Sequence, residues 1–370
     1  MSDNANTPAV TAPSSAARPG PEKKHGSVPP ILLQASPHIV SPVNSAALMG
    51  YMLMALAPVS VFGIVIFGLP ALLNIIVSVT AAVAAEALFR LAVRQPVRIT
   101  DLSAGVTGLL LALVIPPTMP LWMTALGAIF AVIAAKEFFG GLGANVFNPA
   151  LAGRAFLLMS FPAAMTVWKQ PSLPLFSSFT ADAVTGASPL GILKTDGLAG
   201  AGGFFAAAGL SPSDSYWQTI KTLFFGYRAG CTGETSILLL LAAFVFLLVK
   251  KTIDWRAPVS MIAAGIAAAF VLRIDPLFAI FSGGFMFGAV YMVTDYVTAP
   301  LTTRGKVIFG AGAGIIAIVI RKWGGYPEGV SYAILIMNGV VPFLNKLLPE
   351  KYGHVPKKKM TADAGKGVVK

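Results

Sequence analysis

Cysteine occurs once, at Cys231, and histidine three times, at His25, His38 and His354, none of them inside an apolar run. An iron–sulfur cluster takes about four thiolates and a structural zinc site about four Cys or His ligands. Neither can be assembled from this chain alone, and no histidine is placed to ligate a buried haem. Charge is scarce too: 11% of residues are Asp, Glu, Lys or Arg, against about 25% in soluble domains. Hydrophobic residues make up 56% of the 370, with a mean hydropathy of +0.76. No soluble core of this length needs so much apolar surface, so the solvent is lipid. An electron carrier in such a chain would be organic.

What charge there is runs to one sign, a formal +12. Its placement argues against a nucleic-acid surface. Lys and Arg gather in short segments between apolar blocks and in the tail, at Lys357, Lys358 and Lys359, which is the habit of a cytoplasmic membrane face.

Residues 1–30 are rich in Ala, Ser, Pro, Asn and Lys and lack an apolar run. They read as a disordered tail, not a cleaved signal peptide, and 31–45 as an interfacial lead-in. Ten apolar segments follow, at about 46–68, 70–92, 102–116, 121–139, 149–162, 234–249, 257–272, 276–294, 306–321 and 329–348. The fold expected is all-α and integral to the membrane, with about ten transmembrane helices. The organisation expected is a tail and lead-in over 1–45, a first half over 46–162, an extracytoplasmic loop over 163–233, a second half over 234–348 and a basic cytoplasmic tail over 349–370. The segments at 102–116 and 149–162 are shorter than the roughly 20 residues of a straight span. Either they line a buried site, as short helices do in transporters, or they are tilted spans with blurred ends.

With the N-terminus inside and all ten segments crossing, only Lys169, Lys194, Lys221, Arg228, Arg273, Arg321 and Lys322 fall outside. The other basic residues face the cytoplasm, as the positive-inside rule requires. Both termini are then cytoplasmic. Pro149, Ala155 and Met159 match Pro327, Ala333 and Met337 at a constant offset of 178. Each triplet lies in the fifth segment of its half. An odd number of helices per repeat turns the second copy over, so two inverted five-helix halves are expected.

The outer loop carries Asp182, then Thr185-Gly186-Ala187-Ser188 and Pro189. A hydroxyl between small neighbours is open to another enzyme's active site, although the same residues also suit an ordinary turn. Ionisable residues in or beside the apolar blocks are Glu86, Asp101, Lys136, Glu137, Arg154, Glu234 and Asp295. Charges at membrane depth are costly and mark function by default. Lys136, Glu137 and Arg154 are expected to neutralise one another at the cytoplasmic interface, leaving Asp101, Glu234 and Asp295 as an ion path. Gly310-Ala311-Gly312-Ala313-Gly314 is expected to serve close helix packing.

The pattern Asp-x-x-Thr-Gly-Ala-Ser resembles the site at which a flavin transferase joins FMN through its phosphate to the last hydroxyl. Ser36-Pro37-His38, Asp101-Leu102-Ser103-Ala104 and Thr107-Gly108-Leu109-Leu110 are similar to the D subunits of Rnf complexes. So are Phe139 to Gly143, then Asn145, Phe147 to Ala150 and Gly153 to Phe156, with Gly233 to Ser236 and Thr294 to Pro300 in the second half. The resemblance implies a redox component of an Rnf-type complex, which passes electrons between ferredoxin and NAD while moving Na+ or H+. It implies covalent FMN at Ser188, with Asp182, Thr185, Gly186 and Ala187 as the recognised surround, and leaves a second, noncovalent flavin open. Implied partners are the other Rnf subunits, which hold the ferredoxin and NAD sites, a maturing flavin transferase and the bilayer, in a bacterial or archaeal cytoplasmic membrane. The family usually ends this motif in Thr, where this chain has Ser188. The alternatives are the B subunit of a sodium-pumping NADH:quinone reductase and, from another class, a channel or small-solute transporter without redox function.

Overall fold

A computed structural model describes residues 44–97, 99–169, 185–186, 216–226, 228–325 and 328–347. The described residues are mostly helical. Asn44 starts α1 (Ser45–Phe67) by accepting the Ala47 amide at 2.8 Å, a side-chain cap for one of the free first-turn donors. Gly68, at φ +74, ends α1 and turns directly into α2 (Leu69–Ala92). The chain continues through α3 (Ser103–Val114), α4 (Leu121–Ile133), α5 (Pro149–Ser160) and the single turn α6 (Pro162–Met165). After two short strands, Trp168–Lys169 and Thr185–Gly186, come α7 (Tyr216–Phe225), α8 (Ile237–Val249), α9 (Arg256–Val271), α10 (Pro276–Phe281) and α11 (Phe285–Phe287), which runs on as a π-turn, Gly288–Met292. Two long helices close the chain, α12 (Thr303–Trp323) and α13 (Val330–Leu347).

Among the described residues, four stretches are long and apolar enough to cross a membrane: Ser45–Phe67, Leu69–Ala92, Leu121–Phe139 and Thr303–Trp323. Their outward faces carry large apolar side chains such as Val61, Ile76, Leu88 and Ile315, as lipid contact requires. α3 is the opposite case. Its twelve residues reach only about 18 Å, and from Leu110 to Val114 every side chain is buried. This short segment is thus an interior helix.

The segment expected as one helix over 276–294 is broken. Gly283 takes φ +59 between α10 and α11, a conformation that costs glycine nothing and other residues strain. The expected glycine-rich contact is present: a Cβ on Gly310 or Gly314 would strike the Ala257 or Met261 carbonyl of α9.

In the first half α2 packs on α3 and α4, and α4 on α5; in the second, α9 packs on α10 and α12, and α12 on α13. The two sets share one hydrophobic core. α1 touches α8, and α5 touches α13. Of the residues matched at the fixed offset, Ala333 and Met337 are buried while Met159 is exposed; Pro327 lies outside the described residues.

Candidate functional site

Thr185 and Gly186 form a two-residue strand, β2, antiparallel to β1 (Trp168–Lys169), with Trp168 opposite Gly186 and Lys169 opposite Thr185. β1 leaves the end of α6 and is held there, because the Thr118 hydroxyl donates to the Val167 carbonyl at 2.9 Å. Thr118 belongs to the turn between α3 and α4. That turn is fixed in its own right by Asn74 Nδ2, which donates to the Pro117 and Met119 carbonyls at 2.9 and 3.2 Å. The backbone two residues before Ser188 is therefore tied to the α3–α4 turn. Asp182, Ala187 and Ser188 themselves lie outside the described residues.

At the far end of α2 is a closed set of charges. Lys136 Nζ lies 2.6 Å from Glu86 Oε2 and 2.7 Å from the Ser103 hydroxyl. Arg90 Nε is 3.5 Å from Glu86 and 3.2 Å from Glu137. This corrects the expected neutralisation. Lys136 pairs with Glu86 from α2, Glu137 pairs with Arg90, and Arg154 is elsewhere. The turn that makes room for Arg90 uses Gly141, at φ +89, where a Cβ would lie 2.8 Å from Arg90 Nη2.

Two of the three expected ion-path residues lie near this set without touching each other. Asp101, half-buried at the end of a 3-10 turn, accepts both the Ser103 amide (2.9 Å) and hydroxyl (2.8 Å). Asp295 accepts from the Thr298 hydroxyl at 3.0 Å and from Asn148 Nδ2 at 3.4 Å. Ser103, Lys136, Asn148, Tyr291 and Asp295 line one cavity of about 60 Å³. Asp295 also borders a wider cleft of about 480 Å³, along with Lys251, Asp254, Arg256 and Lys306. Asp254 accepts Arg256 at 3.1 Å and Lys306 at 2.9 Å. Burial is the largest single influence on its carboxyl and pushes it up; the Arg256 amide and the two cations together outweigh it and hold the group below the ordinary carboxylate value.

Glu234 is apart from these, in a second set. It sits in a non-helical stretch before α8 in which Arg228, Cys231, Thr232, Thr235 and Ser236 are all buried. This stretch packs on the end of α3: the Gly233 amide donates to the Leu113 carbonyl at 2.7 Å and the Cys231 thiol to the Val114 carbonyl at 3.2 Å. Arg154, from the middle of α5, pairs with Glu328, donates to the Ser331 hydroxyl at 2.7 Å, and comes within 4.0 Å of Glu234. Arg228 and Arg321 donate to backbone carbonyls around the end of α10. Glu328, Arg321, Arg228 and Arg90 were not among the residues expected. Each stands in or next to a connecting segment, where sequence gives no sign of burial.

Cys231, Glu234 and Glu328 offer ligand atoms within 4.8 Å of one another, a spacing that suits a metal. The surroundings do not suit one. Arg154 reaches all three side chains, so a guanidinium already supplies the positive charge. The set is an ion-pair network, not a metal centre.

The sequence model of the NQR2, RnfD, RnfE family matches residues 32–353. A relative from Clostridium ljungdahlii, described as the D subunit of a proton-translocating ferredoxin:NAD(+) oxidoreductase complex, is 42% identical over 87% of this chain and 96% of its own length. One from Acetobacterium woodii, described as the D subunit of a Na(+)-translocating ferredoxin:NAD(+) oxidoreductase complex, is 38% identical over 90% and 98%. The D subunit of an ion-translocating oxidoreductase complex from Stutzerimonas stutzeri is 37% identical over 83% and 91%.

Proposed function

The chain belongs to the NQR2, RnfD, RnfE family, and from that premise we propose that it is the D subunit of an ion-translocating ferredoxin:NAD(+) oxidoreductase complex. The observation that carries this is the 42% identity over nearly the whole of both chains. The protein is a multi-pass membrane protein and one component among several. Its ten spans would form two inverted halves, a reading supported by the parallel packing of α2 on α3 and α4 and of α9 on α10 and α12. Both termini would face the cytoplasm and the 163–233 loop the outside.

FMN would be carried on Ser188, three residues past Thr185, with Gly186 and Ala187 between them and Asp182 at the spacing the motif demands. The described part of the loop is compatible with this. The pairing of β2 with β1 holds Thr185 and Gly186 near the α3–α4 turn. Bound there, FMN would supply the electron transfer. The chain's own part is to place the hydroxyl on the outer side, where the transferase acts and a neighbouring subunit can exchange electrons. Asp101 and Asp295 would serve an ion path from the wide cleft through the cavity beside Lys136, with Glu234 further along. The two ferredoxin:NAD(+) relatives differ in the ion named for them, so identity alone does not choose between Na+ and H+.

Deletion of the gene is expected to abolish ferredoxin-dependent NAD reduction by membranes, and the wild-type gene to restore it; activity that survives deletion overturns the reading. Co-expressed with a flavin transferase, the wild-type chain should give a fluorescent band on a denaturing gel. Ser188→Ala should be dark and Ser188→Thr fluorescent. A dark wild type beside a labelled control substrate removes the flavin assignment and leaves the family membership intact.

A further inference from the structure

The stretch 276–292 is a helix interrupted in its middle, and the interruption lies against Glu234. α10 ends at Phe281 and α11 begins at Phe285, so carbonyls on one side of the break and amides on the other lose their helical partners. The carbonyl end, where the helix dipole is negative, is met by cations of the chain itself. Arg228 donates to the Phe281 and Gly283 carbonyls and Arg321 to those of Ala279 and Ser282. The amide end starts at Gly284, where a methyl group would come within 3.0 Å of the Glu234 carboxyl carbon. Each end of the break is thus met by side chains of the opposite sign. In discontinuous transporter helices the carbonyl end is where a metal cation is coordinated; here two guanidinium groups fill those positions.

Among the described residues, Glu234 is the carboxylate of this network left without a donor, while Arg154 Nε and Arg321 Nε also lack an acceptor. Glu234 is 1% exposed, and neither carboxyl oxygen has a hydrogen-bond partner among the described residues. The groups that face it are committed elsewhere. Arg154 donates to Ser331 and Glu328 and stays 4.0 Å from Glu234 Oε1. The Cys231 thiol donates to Val114, and Arg228 and Arg321 hold the carbonyls of the break. Glu328 adds a second carboxylate within 4.8 Å. A buried carboxylate that receives no donor on either oxygen is far better accommodated neutral than charged.

We propose that Glu234 is a proton-binding site at the helix break, taking a proton from water onto a carboxyl oxygen and returning it as Arg154, its nearest cation, comes into contact. This deepens the function proposed above by naming the ion that this residue handles. It rests on that reading only for the part the proton plays in turnover.

The test is infrared spectroscopy of the purified complex near neutral pH, comparing wild type with Glu234→Gln. The wild type is expected to show the carbonyl stretch of a protonated carboxyl group, shifted in heavy water, absent from the variant and unchanged when sodium replaces choline. If Glu234→Gln fails to assemble, Glu234→Asp should keep the band at a displaced frequency. A wild-type spectrum that matches that of Glu234→Gln overturns the proposal. So does a band that sodium abolishes at constant pH, since that would make the carboxylate a metal-cation ligand. The measurement needs neither flavin nor turnover, so its failure and failure of the ferredoxin:NAD assignment are separate results.

Discussion

Lys136 is among the largest fully buried side chains of the protein. A buried ammonium is tolerable only when its partners are in place, and Glu86 and Ser103 provide them at 2.6 and 2.7 Å. Lys136→Met would leave Glu86 with Arg90 alone, at 3.5 Å. A loss of about 3–5 kcal/mol is expected, the usual cost of breaking a buried pair from one side. Adding Glu86→Gln should recover part of that loss, so a double-mutant cycle on thermal stability in detergent should give a clear coupling. Independent, additive losses would mean that the two do not form a pair. Asp254 gives a weaker and pH-dependent case. Its folded-state value is depressed, so its contribution is fully present above the ordinary Asp value and disappears as pH falls through the folded value. The difference in melting temperature between wild type and Asp254→Asn should therefore be small near neutrality, about 1 kcal/mol or less for such an exposed pair, and vanish on acidification. At this scale the sequence reveals the costly residues and conceals their partners. The rule that intramembrane charges matter picked out Glu86, Lys136, Arg154 and Glu234 from their apolar neighbours. It could not pair Arg154 with Glu328, which is 174 residues away, nor see that Arg321 turns inward from a helix end.

Among the elements, α9 and α12 approach closely enough for their backbones to touch. A methyl group on Gly314 would meet the Gly265 amide nitrogen at 3.1 Å as well as the Met261 carbonyl. Backbone cannot move aside as a flexible side chain can, so Gly314→Val should cost more than the 1–3 kcal/mol or so of ordinary overpacking. Gly50 in α1 has nothing within 4 Å of a Cβ, and Gly50→Ala should be neutral or stabilise by about 0.5–1 kcal/mol through helix propensity. Thermal unfolding of the two variants side by side checks both; equal effects would mean that α9 and α12 leave room between their backbones. Hydropathy made the helices legible because each long one keeps an apolar face to lipid. It failed at 276–294, where Ser282-Gly283-Gly284 is too short to lower the average of an apolar run yet supplies the backbone freedom that breaks it. It also missed α7, whose ten residues, Tyr216–Phe225, lie in what reads as a polar loop.

For the whole molecule, orientation follows from where charge remains once buried residues are set aside. The structure buries Arg90, Lys136 and Arg154 on one side of the count and Arg228 and Arg321 on the other, so none of the five can act on topology through the membrane surface. Arg94, Lys250, Lys251, Arg256, Arg304 and the C-terminal lysines still outnumber Lys169, Lys194, Lys221, Arg273 and Lys322, and this bias is the ground on which a cytoplasmic N-terminus is proposed. The inverted arrangement makes a sharper demand. α4 and α12 hold corresponding places in the two packing sets, α2–α4 and α9–α12. Inversion puts their N-terminal ends on opposite faces of the membrane, and a parallel repeat would put them on the same face. Trp122 and Arg304 mark those ends and are both exposed. The native thiol, Cys231, is fully buried and should stay silent to an impermeant maleimide. Trp122→Cys should then react only from outside and Arg304→Cys only from the cytoplasm. Lys322→Cys, at the other end of the 21-residue α12, about 30 Å away, should react from outside. Labelling of Trp122→Cys and Arg304→Cys from one common side would rule out inversion, and with it the expectation that the flavin loop and the basic tail face opposite compartments.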